Sequence, residues 1–364
     1  MDRSGIGKDA ETPLICRHFG TCGGCAFQDL AEDTYRSRKR AQVANALRRH
    51  GIEVSVDDVK CVPPHSRRRA TLKVTKLSGA AVIGFHAASS HRIVDMRECR
   101  VLTTNMLATV QALRGLMHDV LREGEKADLN VTETETGFDI LLKWPRKPGS
   151  DLVAQMARWS DGRGIARIVS GKEIVVSLAP PMVGLAGVSV KIPPGAFLQP
   201  TVAGEIVLQS HVQAMLSRSR NIVDLFAGCG TFTFALARRA RVRAVDTDRA
   251  MLNALAEASR QNSGLKQIST EQRNLFQHPL QPSEFSGHDA VILDPPRAGA
   301  EAQVRLLAEA RIPKIVYVSC DAGTFGRDAA VLVHEGYRIS AVTPVDQFLW
   351  SEHIELVSSF ELPG

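Results

Sequence analysis

The chain has 364 residues, of which 44% are hydrophobic and 5% aromatic, and it carries a net charge of +6. No apolar run is long enough to cross a bilayer, so we exclude an integral membrane protein and expect no membrane partner. A chain of this length can form two or more domains. The basic excess lies in residues 1–100, which hold 18 Lys and Arg against 11 Asp and Glu. This part either contacts a polyanion or simply has a solvated basic surface.

The N-terminus is polar, includes acids and lacks the apolar core of a signal peptide. We therefore expect residues 1–13 to be a disordered lead and the protein to be cytoplasmic. The chain contains seven cysteines, so they cannot all be paired in disulfides within one chain. That count favours metal-binding or catalytic roles over a disulfide framework.

Three cysteines near the N-terminus, Cys16, Cys22 and Cys25, are spaced as C-x5-C-x2-C. The glycines between them allow the backbone to wrap closely around a shared centre. A closed site needs a fourth thiol, for which Cys99 is the best candidate and Cys61 the competitor. Four thiolates can hold zinc or an iron–sulfur cluster. A compact triplet with one distant cysteine favours a [4Fe–4S] cluster.

A basic helix is predicted over residues 31–50, with a modest apolar stripe that includes Tyr35 and Leu47. Together with the cysteine triplet it forms the predicted N-terminal segment, residues 14–59. The rest of its surface is crowded by Arg36, Arg38, Lys39, Arg40, Arg48 and Arg49. This surface is either solvated or faces phosphates.

Residues 60–198 are predicted to form a central mixed α+β domain that is rich in hairpins. Predicted strands cover 70–74, 81–85, 129–134, 138–144, 165–170 and 173–178, and predicted helices cover 105–122 and 152–159. Pro-Pro pairs at 180–181 and 193–194 mark the exit from this domain.

Residues 199–364 alternate strands with helices, which predicts an α/β domain whose parallel sheet is covered on both faces. Strands are predicted at 222–226, 242–245, 290–293 and 315–318, helices at 202–217, 233–239, 250–261, 301–310 and 325–334, and a closing strand pair at 337–342 and 354–360. Gln199 lies at the junction with the central domain, where clefts form.

The first strand of this domain ends in a glycine loop, DLFAGCGT, that opens a helix. Gly228 and Gly230 let a ligand approach the backbone, and Asp246, at the end of the next strand, can accept both hydroxyls of a ribose. The third glycine of a dinucleotide fingerprint is missing, which disfavours NAD. A glycine turn alone is a weak signal, but DLFAGCG followed by VD is typical of an S-adenosylmethionine pocket.

Two further strand ends carry reactive side chains, Asp294 in LDPPRAG and Cys320 in VYVSCDAG. Active-site groups of open α/β sheets lie at such carboxyl ends. A lone cysteine is nevertheless more often a small buried apolar residue than a nucleophile. Glu352 and Glu355 lie in the last strand region, where side-chain alternation allows at most one of them to reach Cys320.

Taken together, these motifs resemble the RNA 5-methyluridine methyltransferase family. The likeness covers about residues 14–361 and includes, in order, the cysteine set, FLQP, DLFAGCGTF, AVD, RNLF, LDPPRAG, VYVSCDAGTFGRD and VDQF…HIELV. The cysteines resemble those of the ribosomal-RNA branch, whereas the transfer-RNA branch generally lacks them. Larger bacterial members begin with a small OB-like (TRAM) domain. We expect a short form, or a chain from which that domain was removed.

The resemblance implies a Rossmann-like S-adenosylmethionine-dependent methyltransferase domain at residues 199–364 and an RNA-binding central domain. It implies Cys320 as the nucleophile and Glu355 as the base. The cluster ligands it implies are Cys16, Cys22, Cys25 and Cys99. The donor pocket it implies is lined by Gln199, Phe226, Thr231, Asp246, Asn274 and Asp294. Thr231 replaces the family's usual Asn, Asp246 replaces a Glu, and the loop after Phe348 departs from the family pattern.

The reaction implied is methylation of uracil C5 in ribosomal RNA, with 23S rRNA the expected substrate, through a covalent adduct of Cys320 at C6. The target uridine is expected to be single-stranded or flipped out of its stack, and the protein to be a monomer. The alternatives are a transfer-RNA uridine methyltransferase, a 5-methylcytosine enzyme with the same thiol chemistry, and a non-catalytic RNA-binding or ribosome-assembly factor.

Overall fold

The computed structural model describes residues 15–363, which form an N-terminal segment, a central domain and a C-terminal domain. The expected lead at residues 1–13 lies outside the described residues. Between residues 15 and 363, no helix combines the length and the apolar character that crossing a bilayer requires.

The predicted strands and helices of the central domain are confirmed to within a few residues. The elements up to the domain junction are α1 (Glu32–Arg49), β1 (Lys60–Cys61), β2 (Arg69–Leu77), β3 (Ala80–Gly84), α2 (Thr104–Val120), β4 (Lys126–Thr134), β5 (Gly137–Lys143), α3 (Ser150–Ser160), β6 (Ile165–Ser170), β7 (Glu173–Ser177), β8 (Met182–Leu185) and β9 (Val188–Lys191).

The central domain is built on a six-stranded sheet with the strand order β3-β2-β4-β5-β6-β7. Neighbouring strands are antiparallel except β5 and β6. Along β2, Ala70, Leu72 and Val74 alternate with more exposed residues, so one face of this strand is apolar. Helix α2 packs on the sheet through Met106 and Leu113, which closes the core of this domain.

The hairpin β8–β9 was not predicted. Its residues lie between the two Pro-Pro pairs that were expected to mark the exit from the central domain. Its buried side chains Val183 and Leu185 instead belong to a cluster with Phe234 and Leu255 of the C-terminal domain. The hairpin therefore joins the two domains.

The C-terminal domain has the predicted alternation of strands and helices. Its elements are α4 (Val202–Met215), β10 (Asn221–Leu225), α5 (Thr233–Ala237), β11 (Arg241–Asp246), α6 (Arg249–Arg260), β12 (Ile268–Gln272), β13 (Ala290–Leu293), α7 (Glu301–Glu309), β14 (Lys314–Ser319), α8 (Ala322–His334), β15 (Arg338–Ile339), β16 (Thr343–Asp346) and β17 (Glu355–Glu361).

Five strands of this domain form a parallel sheet in the order β14-β13-β10-β11-β12. Strand β17 continues the sheet antiparallel to β14, followed by β16 and β1. The chain leaves β10 toward β11 and β12 and later returns on the other side of β10 at β13. Open α/β sheets bind their ligands at such a switch point, outside the carboxyl ends of the strands.

Two strand predictions in this domain were incomplete. Strand β12 was not predicted because its sequence, ISTEQ, is polar and partly exposed at the sheet edge. The strand predicted over residues 337–342 is limited to β15, and β16 begins only at Thr343. Between them, the hydroxyl of Ser340 accepts a hydrogen bond from the backbone N–H of Ser359 (3.1 Å).

Helix α1 is confirmed, but it packs against α8 and contributes to the core of the C-terminal domain. Lys39 lies on its buried face with a fully buried side chain, and its Nζ is 3.1 Å from Asp346 Oδ1. The prediction that Lys39 lies on a solvated or phosphate-facing surface is therefore wrong. The arginines of that set are exposed. Residues 60–61 fall within the predicted bounds of the central domain, but they form a strand, β1, that was not predicted and that pairs with β16 in the C-terminal sheet.

A buried ion pair fastens the central domain to the C-terminal domain just before β2. Arg68 Nη2 lies 2.7 Å from Glu205 Oε2 on α4, and both side chains are almost completely buried. The backbone N–H of Arg68 also donates to the carbonyl of Pro200 (2.9 Å), and its Nε donates to the carbonyl of Gln199 (3.3 Å). These contacts fix the backbone that carries the Gln199 side chain.

Candidate active site

A cavity of about 540 Å³ lies at the carboxyl ends of the parallel strands, between the C-terminal sheet and the start of the central domain. It brings together most of the predicted site residues, namely Gln199, Phe226, Asp246, Asn274, Asp294, Cys320 and Glu355. Thr231 is not among the residues that line it. The carbonyl of Thr231 instead accepts a hydrogen bond from Gln209 Nε2 (2.9 Å).

The glycine loop after β10 forms one end of this cavity. Gly230 has φ +101°, and a Cβ added there would lie 2.7 Å from the ring of Phe234, so only glycine fits. Phe226 also has a positive φ, +63°, which is uncommon for a residue with a side chain. The chain accepts this conformation where the backbone turns away from β10, and the ring of Phe226 then lines the cavity.

Asp246 fixes the same loop from the end of β11. Its carboxylate accepts hydrogen bonds from the backbone N–H groups of Gly228 (2.9 Å) and Asp248 (2.8 Å). A carboxylate has about four acceptor positions. Asp246 can therefore still accept the two hydroxyls of a ribose, as the sequence predicts.

Asn274 shapes the wall of the cavity next to this loop. Its Oδ1 accepts a hydrogen bond from the backbone N–H of Phe276 (3.0 Å). The ring of Phe276 is half-exposed, and its centroid lies 5.6 Å from that of Phe226. These two rings offer an apolar wall beside the polar Asp246, which suits a nucleoside with a flat base and a polar sugar.

Two acids at the other end of the cavity, the half-buried Asp294 and the buried Glu355, are linked by two amide side chains. Gln199 Nε2 donates to Asp294 Oδ2 (3.1 Å), and Gln347 Nε2 donates to both Gln199 Oε1 (2.6 Å) and Glu355 Oε2 (2.8 Å). A Cβ on Gly204 would lie 2.7 Å from Gln347 Oε1, so glycine is needed for this approach. Gln347 lies in the VDQF motif, but the sequence analysis did not identify it as a site residue.

Burial raises the pKa of all three reactive groups at this end. The pKa of Glu355 is raised to about 7 by burial, against which the hydrogen bond from Gln347 and the charge of Arg297 act. Burial and the neighbouring Glu355 raise the pKa of Asp294 well above its usual range. Burial and the same two acids raise the pKa of the Cys320 thiol to about 12, although Arg297 lowers it. A thiol, a carboxyl that titrates near neutrality and a second carboxyl therefore share one cavity.

Of the two acids in the last strand region, only one lies at the cavity, as side-chain alternation predicted. Glu355 begins β17, is only 2% exposed and lines the cavity. Glu352 lies in the preceding turn and is exposed. Glu355 is therefore the acid that the structure brings to Cys320.

The four predicted cluster ligands line a second, smaller cavity of about 60 Å³, namely Cys16, Cys22, Cys25 and Cys99. Cys61 is not among its lining residues. Burial raises the pKa of Cys25 to about 12, and the nearby thiols of Cys99, Cys22 and Cys16 also raise it. No group of three or more His, Cys, Asp or Glu in residues 15–363 has the arrangement for a single metal ion.

Four cysteine thiols are a donor set that suits either a [4Fe–4S] cluster or a structural zinc ion. A single tetrahedral zinc holds its four sulfur atoms at about 2.3 Å, which demands a tight thiol group. A cubane cluster binds each thiolate to a different iron, so the cysteines stand further apart. The backbone N–H of Gly24 donates a hydrogen bond to Cys22 Sγ (3.4 Å).

Known proteins are similar to this chain over almost its whole length. The tRNA (Uracil-5-)-methyltransferase family model matches residues 182–359. An uncharacterized RNA methyltransferase of Agrobacterium fabrum is 40% identical, over 95% of this chain and 85% of its own. The chain belongs to the RNA uracil-5-methyltransferase family. The 23S rRNA (uracil(1939)-C(5))-methyltransferase RlmD of Halomonas elongata is 30% identical, over 96% of this chain and 76% of its own.

The fold has a solved counterpart. The structure of Pyrococcus abyssi tRNA (uracil-54, C5)-methyltransferase in complex with S-adenosyl-L-homocysteine superimposes with a TM-score of 0.74 at 23% identity, covering 93% of this chain and 84% of that one. The predicted α/β methyltransferase fold is thereby confirmed. The protein is an S-adenosylmethionine-dependent RNA uracil-5-methyltransferase. The hypotheses of a 5-methylcytosine enzyme and of a non-catalytic factor are set aside.

For this methyltransferase we predict that Glu355→Gln stabilises the ligand-free protein more at pH 8 than at pH 5. The pKa of Glu355 rises from 4.5 to about 7 on folding. Between these values the folded state holds the proton more tightly than the unfolded state, so the free energy of unfolding falls as pH rises. A neutral Gln removes that loss, which amounts to at most about 3 kcal/mol.

Urea unfolding at both pH values measures this effect. Glu352→Gln, which removes an exposed acid three residues earlier, is the matched control and should show no gain that depends on pH. Equal gains for Glu355→Gln at pH 5 and pH 8 would contradict the raised pKa.

Proposed function

We propose that this enzyme methylates C5 of a uridine in ribosomal RNA, with 23S rRNA as the substrate, through a covalent bond between Cys320 and uracil C6. The observation that carries the proposal is that Cys320, Glu355 and the glycine loop for the methyl donor line one cavity. The enzyme would act in the cytoplasm on a single-stranded or flipped uridine.

Uracil C5 is too weak a nucleophile to attack a sulfonium methyl group unaided. In the proposed reaction the Cys320 thiol, which is partly exposed, releases its proton to solvent water, and the thiolate sulfur bonds to C6. The electron pair of the C5–C6 double bond then moves into an enolate with carbanion character at C5. C5 bonds to the methyl group of S-adenosylmethionine, and the electron pair of the broken S–CH3 bond remains on the donor's sulfur.

Glu355 then acts as the general base in the second half of the reaction. It takes the C5 proton, and the freed electron pair re-forms the C5–C6 double bond. The C6–S bond breaks, and its electron pair returns to Cys320 as the thiolate. A carboxylate whose pKa is about 7 suits this step, because at neutral pH it is substantially ionised yet basic enough to accept the proton.

The remaining residues of the cavity bind and orient. Phe226, Asp246 and Asn274 would hold the nucleoside part of the methyl donor. Gln199 and Asp294, joined by their hydrogen bond, would orient the uracil ring or the donor's reactive end. Arg297 favours the ionised forms of both Cys320 and Glu355, which is the charge state that the chemistry requires.

Cys16, Cys22, Cys25 and Cys99 are proposed to hold a [4Fe–4S] cluster. When bound, such a cluster would supply a rigid cross-link rather than redox chemistry, because methyl transfer is not an oxidation or a reduction. Its protein ligands come from the N-terminal segment and, through Cys99, from the central domain. The cluster would therefore fix these two parts of the RNA-binding surface relative to each other.

A transfer-RNA substrate is the second candidate. The family model and the Pyrococcus abyssi structure carry transfer-RNA names. The ribosomal assignment is favoured by the cysteine set, which resembles the ribosomal-RNA branch, and by the Halomonas elongata relative.

Cys320→Ala is expected to abolish methylation while RNA binding persists, because the sulfur that bonds to C6 is lost but the RNA surface is not. Transfer of a radioactive methyl group and a fluorescence-anisotropy titration measure the two properties. Cys61→Ala is the control, since Cys61 lines neither cavity, and it should retain both. Methylation by the Cys320→Ala enzyme would disprove the covalent mechanism.

The purified protein is expected to be brown and to absorb near ~400 nm, as thiolate-bound iron–sulfur centres do. Cys25→Ser should remove the colour and the bound iron, whereas Cys61→Ser should keep both. Optical spectra and iron analysis of anaerobic preparations measure this. A colourless anaerobic protein with stoichiometric zinc would instead assign the site to zinc.

Cells that lack this protein are expected to lose a 5-methyluridine from 23S rRNA and to keep it in transfer RNA. Mass mapping of nuclease fragments of both RNA classes, in deleted and complemented cells, makes the comparison. Loss confined to transfer RNA would establish the second candidate.

A further inference from the structure

The connection between β16 and β17 controls how Glu355 enters the cavity. We refer to residues 347–353 as the base loop. It begins with Gln347, which donates to Glu355, and continues with Phe348, which lines the cavity. Trp350 has φ +59°, an unfavourable conformation for a bulky residue. A loop of this kind needs outside contacts to keep one shape.

Lys39 of helix α1 contacts both ends of the base loop. Its Nζ lies 3.1 Å from Oδ1 of Asp346, the residue immediately before the loop, and also donates to the carbonyl of His353, the last loop residue. The side chains of Lys39 and Asp346 are both 0% exposed. One ammonium group thus closes the loop, two residues before Glu355.

Other groups of the N-terminal segment bind the middle of the loop. The Tyr35 hydroxyl donates to Asp346 and accepts a hydrogen bond from the backbone N–H of Trp350 (2.7 Å). Gln42 Nε2 donates to the carbonyl of Glu352 (2.8 Å). The backbone N–H of Ala26 donates to the carbonyl of Trp350 (2.6 Å). Lys39 is the one of these that reaches both ends.

A buried lysine–carboxylate pair is a poor source of stability, because the cost of removing two charges from water can exceed their attraction. It does impose a strict geometry, since each group must meet its partners. The placement of Lys39 beside the base loop therefore points to a role in catalytic geometry rather than in holding the fold together.

We propose that Lys39 is a positioning residue for the methylation reaction, which holds the base loop so that Glu355 faces the C5 proton of the Cys320 adduct. This inference rests on the proposed role of Glu355 as the base. Lys39 itself does not line the active-site cavity and acts through the loop.

The expected defect is specific to one step. Bond formation at C6 and methyl transfer use Cys320 and the donor pocket. The base loop adds Phe348 to the cavity wall and the hydrogen bond from Gln347 to Gln199, but it carries neither the reacting thiol nor the glycine loop of the donor pocket. Removal of the C5 proton needs Glu355 in place, and a small displacement of such a group costs about 10- to 100-fold in rate. An enzyme with a loosened loop should therefore stall as a methylated RNA–protein adduct.

The test uses K39M/D346N, because Lys39→Met alone would leave the Asp346 charge buried without its partner. The Asn keeps an acceptor for the Tyr35 hydroxyl. K39M/D346L is a second, fully apolar replacement in case the first does not fold. Arg36→Met, on the exposed face of the same helix, is the matched control, and Glu355→Gln is the reference for a lost base.

Three measurements are made on each full-length variant with uridine RNA: urea unfolding, the kcat and KM of methyl transfer, and the RNA–protein adduct that survives a denaturing gel. For a folded K39M/D346N or K39M/D346L we expect kcat to fall about 10- to 100-fold, the KM of the donor to be unchanged, and the adduct to accumulate as it does for Glu355→Gln. Arg36→Met should resemble the wild type.

Wild-type kcat in a folded double variant would overturn the proposal. So would a loss of kcat without accumulated adduct, because that pattern indicates a general structural defect. A separate failure is also recognisable. If Glu355→Gln methylates RNA and accumulates no adduct, the base assignment itself falls, and the positioning role of Lys39 falls with it.

Discussion

The burial of two carboxyl groups in one cleft is the constraint on which the site depends. Glu355 is buried and Asp294 is half-buried, and the loss of surrounding water raises the pKa of both carboxyl groups. The amides of Gln199 and Gln347 give each acid a hydrogen-bond partner and connect them. These four residues come from the domain junction, the end of β13 and the β16–β17 connection. The active site is therefore assembled only when the domain junction has formed and the C-terminal sheet has formed as well.

The N-terminal segment is part of this arrangement rather than an attached RNA-binding module. Helix α1 contributes to the C-terminal core, and its Lys39 and Tyr35 hold the base loop. The cavity of the four cysteines lies next to the base loop, because Leu349 of that loop lines it. Arg67 lines both that cavity and the active-site cavity. The proposed cluster and the proposed base are thus neighbours through shared residues, although more than three hundred positions of sequence separate Cys25 from Glu355.

Much of the site could be predicted because its signals are local. Asp246 ends its strand, and Asp294 and Cys320 directly follow theirs, which places all three side chains at one edge of a parallel sheet. The remaining features depend on contacts between distant segments. Lys39 reads as a surface cation until its partner Asp346 is known. The β8–β9 hairpin is stabilised by side chains of the C-terminal domain. The role of Gln347 becomes visible only when Gln199 and Glu355, the two side chains to which it donates, are known to lie beside it. The predicted place of Thr231 in the donor pocket came from family position alone, and its side chain does not line the cavity.

The position of β17 has a consequence for how the enzyme is made. This strand lies inside the sheet, between β14 and β16, yet it is the last strand within residues 15–363. The central six-stranded sheet is complete by residue 177 and can fold while the ribosome is still adding the C-terminal domain. The C-terminal sheet stays open until β17 emerges, and Glu355 is the first residue of that strand. A nascent chain can therefore form its central domain before it gains the Glu355 carboxylate.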